Sequence, residues 1–230
     1  MKKPVFYTEI AYFLGLFLLA FGTALTTYGG FGISMVVAPA YILHLYLSQF
    51  FPFFTFGVAE YTLQAVMFLV MLLLLRKVRL SYFLSFLAAV LYGFALDCSL
   101  AIIALFPQSL PLQLAMYVLG IIICTGSISL LFSTYLPPEV YEIIVKELAA
   151  KLKKPASTVK TVYDFSSLMI SVVLSLLFFG TLRGIGIGTV VCAFIYGILI
   201  RLFTRLYNKL FVFQDRFPLR NYFEESENRL

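Results

Sequence analysis

The chain has 230 residues, of which 62% are hydrophobic and only 12% are charged, and its net charge is +6. A soluble domain carries about twice that charged fraction, so the composition excludes an ordinary soluble domain. The basic residues form short clusters between apolar runs rather than a basic domain, which excludes a nucleic-acid-binding domain. The composition is that of a polytopic membrane protein.

Six apolar stretches are long enough, at about 18 residues or more, to cross a bilayer as helices. In chain order they are residues 7–28, 55–75, 81–106, 112–135, 160–182 and 186–208. The first stretch also has the layout of a signal peptide. Glu9 interrupts it and its apolar core is long for a signal, which favours a membrane-spanning helix.

The basic clusters predict how the spans are oriented, because Lys and Arg concentrate in cytoplasmic loops. These clusters precede the first span or follow the second, fourth and sixth, at residues 2–3, 76–79, 146–154 and 201–220. With six spans they all fall on one side, so both termini are predicted to be cytoplasmic. We expect one membrane domain over residues 1–210 and a cytoplasmic tail over residues 211–230.

Two segments between the spans differ in character. Residues 29–50 contain no Lys, Arg, Asp or Glu and are interrupted by glycines and by Pro39. They are predicted to be either a re-entrant helix or an interfacial segment on the outer leaflet. Residues 136–155 carry apolar side chains at helical spacing with charges between them, which predicts an amphipathic helix at the cytoplasmic surface.

The two halves of the chain match when they are shifted by 104 positions. The matched positions include polar residues and glycines, namely Glu60 with Asp164, Arg79 with Arg183, Tyr92 with Tyr196, and Gly93 with Gly197. Each half, about 5–106 and 110–210, contains three spans and one extra short segment. Because three is odd, the second half enters the membrane upside down, and such inverted repeats are common in secondary transporters.

Glu60 and Asp164 are acids near the starts of two matched spans. A charged side chain at a helix centre costs about 2.5–3.5 kcal/mol, so an intramembrane acid is a candidate for function. The alternative is a capping role, since helix N-termini favour negative charge. The repeat favours the functional interpretation, in which the two acids alternate in binding a proton or a cation. The polar neighbours expected to support them are Tyr61, Thr62, Gln64, Ser166 and Ser167.

Other polar positions suggest different roles. The glycine-rich start of the last span is more typical of close helix packing than of anion binding. If it binds an anion, the candidate residues are Gly186, Gly188, Thr189, Arg183 and Arg79. Asp97 coincides with Arg201 in the repeat, which predicts a structural ion pair between the halves.

Several motifs resemble those of the YitT/YczE family of bacterial integral membrane proteins. They are YGGFGISMVVAPAYIL, TFGVAEYT, LPPEVYEIIVKELA, VKTVYDFSS and GIGIGTVVCAFIYG. The resemblance covers nearly the whole chain, but Ala38, Pro39 and Ala40 stand where the family has a Pro-Trp pair. It implies a multi-pass protein of the bacterial inner membrane and says little about substrate.

The sequence therefore predicts an all-α membrane protein with six transmembrane helices in two inverted three-helix repeats. The first hypothesis for its function is a small secondary transporter for a polar or charged solute or ion, coupled to protons through Glu60 and Asp164. The alternatives are a flippase for an anionic lipid and a membrane scaffold without transport activity. No cofactor, metal site or enzymatic activity is expected, because no Ser-His-Asp set, His/Cys cluster or phosphate loop occurs. The partners expected are membrane lipids, and small residues on several helices are compatible with a homodimer.

Overall fold

Long apolar runs can satisfy their backbone polar groups in a bilayer only as helices or closed barrels. A computed structural model of the protein describes residues 3–75, 79–154 and 156–217, and nearly all of this part is helical. In chain order the elements are β1 (Val5–Tyr7), α1 (Thr8–Gly29), α2 (Ala38–Leu47), α3 (Phe56–Leu75), α4 (Leu80–Ile103), α5 (Leu110–Phe132), α6 (Val140–Leu152), α7 (Ala156–Phe179), α8 (Ile187–Leu210) and β2 (Val212–Gln214).

Within the described residues, six of the eight helices are long and apolar enough to cross a membrane. These are α1, α3, α4, α5, α7 and α8, and their ends lie within four residues of the predicted spans. The prediction of a multi-pass helical membrane protein is thus confirmed. Three regions named in the predictions lie outside the described residues: Lys2, the basic positions 76–77, and the tail beyond 217.

Two short strands depart from the all-helical prediction. β1 and β2 pair in parallel, with Val5 opposite Val212 and Tyr7 opposite Gln214. The predicted tail therefore begins as a strand that returns to the start of the chain. Glu9 strengthens this return by accepting hydrogen bonds from the backbone N–H groups of Arg216 and Phe217, at 3.0–3.2 Å. Strands of three residues are too short to produce a recognisable alternation in the sequence.

α1 and α5 form the most extensive helix pair in the molecule. Small residues allow this approach: a Cβ added to Gly22 would lie 2.7 Å from Cys124 Sγ and 2.9 Å from its backbone nitrogen. Gly120 faces Gly22 and Thr26 in the same way from α5. Small residues are the usual means by which helix backbones come together in membranes, where the hydrophobic effect between helices is weak.

α3 and α4 form an antiparallel hairpin in which α3 begins well short of the end of α4. A Cβ on Gly57 would clash with the carbonyl oxygen of Gly93, ten residues before α4 ends. At 1.5 Å per residue, α3 therefore starts roughly 13 Å short of that end. Glu60 lies one turn further along α3. By the same rise per residue it is about 20 Å from the end of α4, near the middle of that helix. The short helix α2 packs on α3 and α7.

α6 is more deeply enclosed than the surface helix that its pattern predicts. One face, with Val140, Ile143 and Ile144, packs against α3 and α4. A second face, with Val145 and Ala149, packs against α7. The amphipathic pattern predicts only the first face, because the second face consists of small and medium-sized side chains that stand among charged residues in the sequence. The start of α6 therefore lies beside Glu60 inside the bundle.

The last two helices are the least enclosed of the six long ones. α7 packs on α2 and α6, whereas α8 packs on α5. Although a short turn joins α7 to α8, the described parts of the two helices do not pack along each other. This separation leaves a gap between α7 and α8, whereas α3 and α4 pack closely together.

Candidate functional site

Glu60, on α3, is completely buried where that helix faces α6. Its Oε2 accepts a hydrogen bond of 3.0 Å from the hydroxyl of Tyr141, the second residue of α6. Its Oε1 has no hydrogen-bond partner within the described part of the chain. A buried carboxylate with one unsatisfied oxygen is costly in its charged form, so this position favours a bound proton or cation.

Glu139 brings a second carboxylate to the same place, immediately before α6. Its Oε2 accepts a hydrogen bond of 3.1 Å from Gln64 Nε2, one turn after Glu60 on α3. The Gln64 Oε1 in turn accepts from the backbone N–H of Val140 at 3.2 Å. The charges of Glu60 and Glu139 repel each other when both are ionised. Burial raises the pKa of Glu139 to about 7, and the hydrogen bond from Gln64 opposes part of this rise.

Asp164 lies in a neighbouring charged group built around Lys160. The Lys160 Nζ is 3.2 Å from Asp164 Oδ1, one turn later on α7, and 2.7 Å from Glu142 Oε1 on α6. Here one ammonium joins two carboxylates from two helices. Because the three side chains are less than one-third exposed, solvent screens these interactions only partly.

The start of α6 connects the two groups. Glu60 binds Tyr141, the ring centroid of Tyr141 lies 6.4 Å from that of Tyr163, and Tyr163 precedes Asp164. The Tyr163 ring also lies under the Lys160 ammonium, 5.8 Å from ring centroid to nitrogen. The tyrosine pair Tyr141 and Tyr163 thus links Glu60 to the neighbourhood of Asp164, and each acid has its own polar partners.

A cavity of about 460 Å³ opens beside these groups. The charged end is lined by Glu139, Glu142, Lys160 and Asp164. The rest is lined mainly by apolar and small residues of α1, α5, α8 and the segment before α2. A largely apolar pocket with a few convergent polar groups is the usual form of a small-molecule site. Among the described residues, no group of three His, Cys, Asp or Glu side chains is placed to hold a metal ion.

The predicted supporting residues divide into two sets. Gln64 and Ser167 are buried, and Gln64 donates to Glu139 as described above. Tyr61 instead contacts Gly93 on α4, Thr62 is exposed, and Ser166 is exposed with its hydroxyl bonded to the Val162 carbonyl. Helical geometry explains the division, because residues three or four apart share a face whereas adjacent ones do not.

The residues considered for anion binding are engaged elsewhere. Gly188 donates its N–H to the Phe31 carbonyl, and Gly186 donates to the hydroxyl of Thr189. These bonds occupy the helix-start donors that an anion would need. Arg79 pairs with Glu147 on α6 at 3.0 Å, and the Arg183 guanidinium lies over the ring of Phe179.

Asp97 and Arg201 do not form the predicted ion pair in the described structure. Asp97 accepts hydrogen bonds from the Thr55 hydroxyl at 2.6 Å and the Gly57 N–H at 2.8 Å, which caps the start of α3. Arg201 donates to the Gly197 carbonyl of its own helix. The prediction of a pair is wrong because α4 and α8, which carry them, do not pack together in the described structure.

The sequence did not single out four members of the site: Glu139, Tyr141, Glu142 and Lys160. Glu139 and Glu142 fall on the polar side of a helix that the pattern places at the surface. One signal for Glu139 was available, since it directly follows Pro137 and Pro138 and so lies at a forced helix start. The packing of α6 between α3 and α7 brings all four residues to the cavity or to Glu60.

The chain matches the model of a family of unknown function, DUF6198, over residues 6–205. It therefore belongs to that family. No curated protein matches the chain, and no solved structure does.

Proposed function

We propose that this member of the DUF6198 family is a small secondary transporter for a polar or charged solute, coupled to protons through buried carboxylates. One observation carries the proposal. A cavity of about 460 Å³ ends at Glu139, Glu142, Lys160 and Asp164. Directly behind this end, Glu60 is buried with one unsatisfied oxygen. Intramembrane ionisable groups beside a cavity mark substrate or proton pathways in membrane proteins.

The proposed architecture is a pair of inverted repeats, and the packing of the helices supports it. In this arrangement α1, α2, α3 and α4 are the counterparts of α5, α6, α7 and α8. Exchanging counterparts converts the contact of α1 with α4 into the contact of α5 with α8. The same exchange converts α2–α3 into α6–α7 and α2–α7 into α3–α6, and all of these pairs are in contact. The central pair α1–α5 maps onto itself. α3–α4 and α4–α6 have no counterpart of similar extent, so one half is more closed than the other.

The proposed mechanism is competition for the carboxylates. When Glu60 and Glu139 are protonated, their repulsion disappears and the closed packing around Tyr141 is stable. A cationic or hydrogen-bond-donating solute at the charged end of the cavity displaces a proton, because it compensates the same negative charge. α6 carries Tyr141 and Glu142 and also packs on α3 and α7, so its position responds to both groups. Exchange of proton for solute would thus be linked to movement of α6.

Membrane and orientation belong to the same proposal. The motifs that resemble the YitT/YczE family and the basic clusters favour the bacterial inner membrane with both termini cytoplasmic. α2 is then the outer counterpart of α6 and dips into the bundle, because it packs on α3 where that helix stops short of the end of α4.

The test is a proton-flux assay on purified protein in liposomes, with pooled small solutes on one side. We expect proton movement that requires a solute and is lost in Glu60→Gln and in Asp164→Asn. The matched control is Glu147→Gln, which removes an acid of α6 that pairs with Arg79 away from Glu60. This variant should retain flux.

Silence with every pool, from variants and wild type that fold alike, would refute coupled transport. A membrane scaffold without transport activity would then be the better-supported function. The anionic-lipid alternative has less support, because the helix-start N–H groups that would bind a phosphate already have partners.

A further inference from the structure

The gap between α7 and α8 has no equivalent in the first half of the molecule. In the first half, Gly57 and Gly93 bring α3 and α4 into contact, so a Cβ on either would clash with backbone atoms. Gly197, which matches Gly93, has open space: a Cβ added there would have no atom within 4 Å. The hairpin that is closed in the first half is therefore open in the second.

The cavity reaches this gap. Lys160 and Asp164 line it from α7, and Ala193 and Gly197 line it from α8. Ala193 and Gly197 are also exposed on the surface of the described structure. Next to them, Phe194 is 74% exposed and faces outward from a membrane-spanning helix. The cavity lining on α8 is thus continuous with the surface that α8 presents to the membrane.

The chemistry of the lining changes along the cavity. The charged end has three carboxylates, Glu139, Glu142 and Asp164, against one ammonium, Lys160. The rest of the lining is mainly apolar, with Leu19, Val36 and Ile128 among its residues. Such a site matches a molecule with a cationic head and an apolar body, and its volume lies within the range of about 300–1,000 Å³ typical of ligand pockets.

The geometry points to a lateral portal between α7 and α8, through which an amphiphile with an ammonium head enters the cavity from the bilayer. The head lies against the excess carboxylates, and the apolar body lies toward Ile128. This inference deepens the proposed function by naming the substrate class, and it rests on that function only for the claim that the amphiphile is transported.

Access to the cavity can be tested without any transport, because the chain contains no tryptophan. A single reporter, Ile128→Trp, is placed on the wall of the cavity, and the protein is reconstituted in phosphatidylcholine with brominated acyl chains. Bromine quenches tryptophan fluorescence only on close approach. Phe94→Trp, at a side chain that is 69% exposed, is the lipid-facing control, and Phe56→Trp, at one that is 1% exposed, is the buried control. If Ile128→Trp does not fold, Tyr196→Trp reports from the same cavity.

We expect Ile128→Trp to be quenched nearly as strongly as Phe94→Trp. Adding Gly197→Phe, whose Cβ has no atom within 4 Å, puts a bulky side chain at the portal and should reduce the quenching to the level of Phe56→Trp. Quenching of Ile128→Trp and Tyr196→Trp no greater than that of Phe56→Trp would overturn the portal. That result would mean that the gap is closed or is covered by a second copy of the chain.

The head-group preference is tested on the same reporter with two single-chain amphiphiles of equal length. Decylammonium should displace the brominated chains and restore the fluorescence of Ile128→Trp, whereas decanoate should not. Equal effects of the two would refute the cationic specificity. Because quenching needs no proton movement, it is expected even if the flux assay finds no transport, so failure of the flux assay and failure of the portal are distinguishable.

Discussion

At the scale of single residues, the chemistry of the site depends on where protons lie in the group formed by Glu60, Gln64 and Glu139. The amide of Gln64 uses both of its ends, since its nitrogen donates to Glu139 and its oxygen accepts from the Val140 N–H. The two carboxylates each keep one buried oxygen without a partner in the described structure. A proton on either acid relieves the repulsion and turns an acceptor into a donor. The group is thus built to hold fewer than two negative charges.

Glu139 makes a prediction about stability and pH. Its pKa is raised from 4.5 to about 7 in the folded protein, so folding favours the protonated form. Stability is then highest below the unfolded pKa and falls as the pH rises through 4.5 to about 7, by up to about 3 kcal/mol. Glu139→Gln should show a shallower fall over this range, measured as unfolding midpoints in denaturant from acid to neutral pH.

The matched control for that measurement is Glu147→Gln, an acid of the same region that already has Arg79 as a partner. It should keep the wild-type pH dependence between pH 4.5 and about 7, the range over which the contribution of Glu139 is lost. An unchanged slope in Glu139→Gln would contradict the raised pKa.

At the scale of elements, the bundle is held by close helix contacts at small residues. Gly22 lies where α1 crosses α5, and even a methyl group there would meet the Cys124 nitrogen at 2.9 Å. The backbones must move apart to accept it. Because packing and close contacts drive helix association in membranes, the loss is felt directly in stability.

Gly22→Ala should therefore destabilise the protein by about 1–3 kcal/mol, the usual cost of overpacking. Gly197→Ala, on the open face of α8, should be neutral or slightly stabilising, since alanine favours the helix and meets no atom there. Thermal unfolding of the two variants in the same detergent makes the comparison. A larger loss for Gly197→Ala than for Gly22→Ala would refute the packing of α1 on α5.

α6 is the element in which local pattern and final position differ most. Its pattern fits a helix on the membrane surface, yet its start contacts Glu60 and its end pairs Glu147 with Arg79. A surface helix needs one apolar face, whereas α6 buries two because it lies between the α3–α4 hairpin and α7.

At the scale of the whole molecule, the segment before α1 and the segment after α8 are tied together. β1 pairs with β2, Lys3 donates to the Asn208 carbonyl, and Thr8 donates to Asp215. Glu9 completes the tie by accepting backbone hydrogen bonds just beyond β2, and it also accepts from the Tyr135 hydroxyl. The segment before α6, the start of α1 and the end of α8 therefore meet at one end of the bundle.

Glu9→Gln should loosen this tie, because a neutral amide oxygen accepts the backbone hydrogen bonds more weakly than a carboxylate does. We expect faster amide hydrogen exchange in Val212–Gln214, by about 5- to 30-fold if one to two kcal/mol is lost. Exchange in α3 should not change, because that helix lies outside the tie. Wild-type protection of Val212–Gln214 in Glu9→Gln would mean that the strand pair holds without the carboxylate.

Composition and local periodicity are enough to predict the class of protein, the six spans and the amphipathic helix α6, whereas they leave two interpretations of residues 29–50 open. The sequence also singled out Glu60, Gln64 and Asp164, because acids and amides are rare and costly within apolar runs. The packing of the helices, by contrast, makes Asp97 cap α3 instead of pairing with Arg201. It alone placed Glu139, Tyr141, Glu142 and Lys160 at the site, and left α7 apart from α8. These outcomes depend on which helix faces meet, and that is set by packing between segments distant in the chain, which no local pattern encodes.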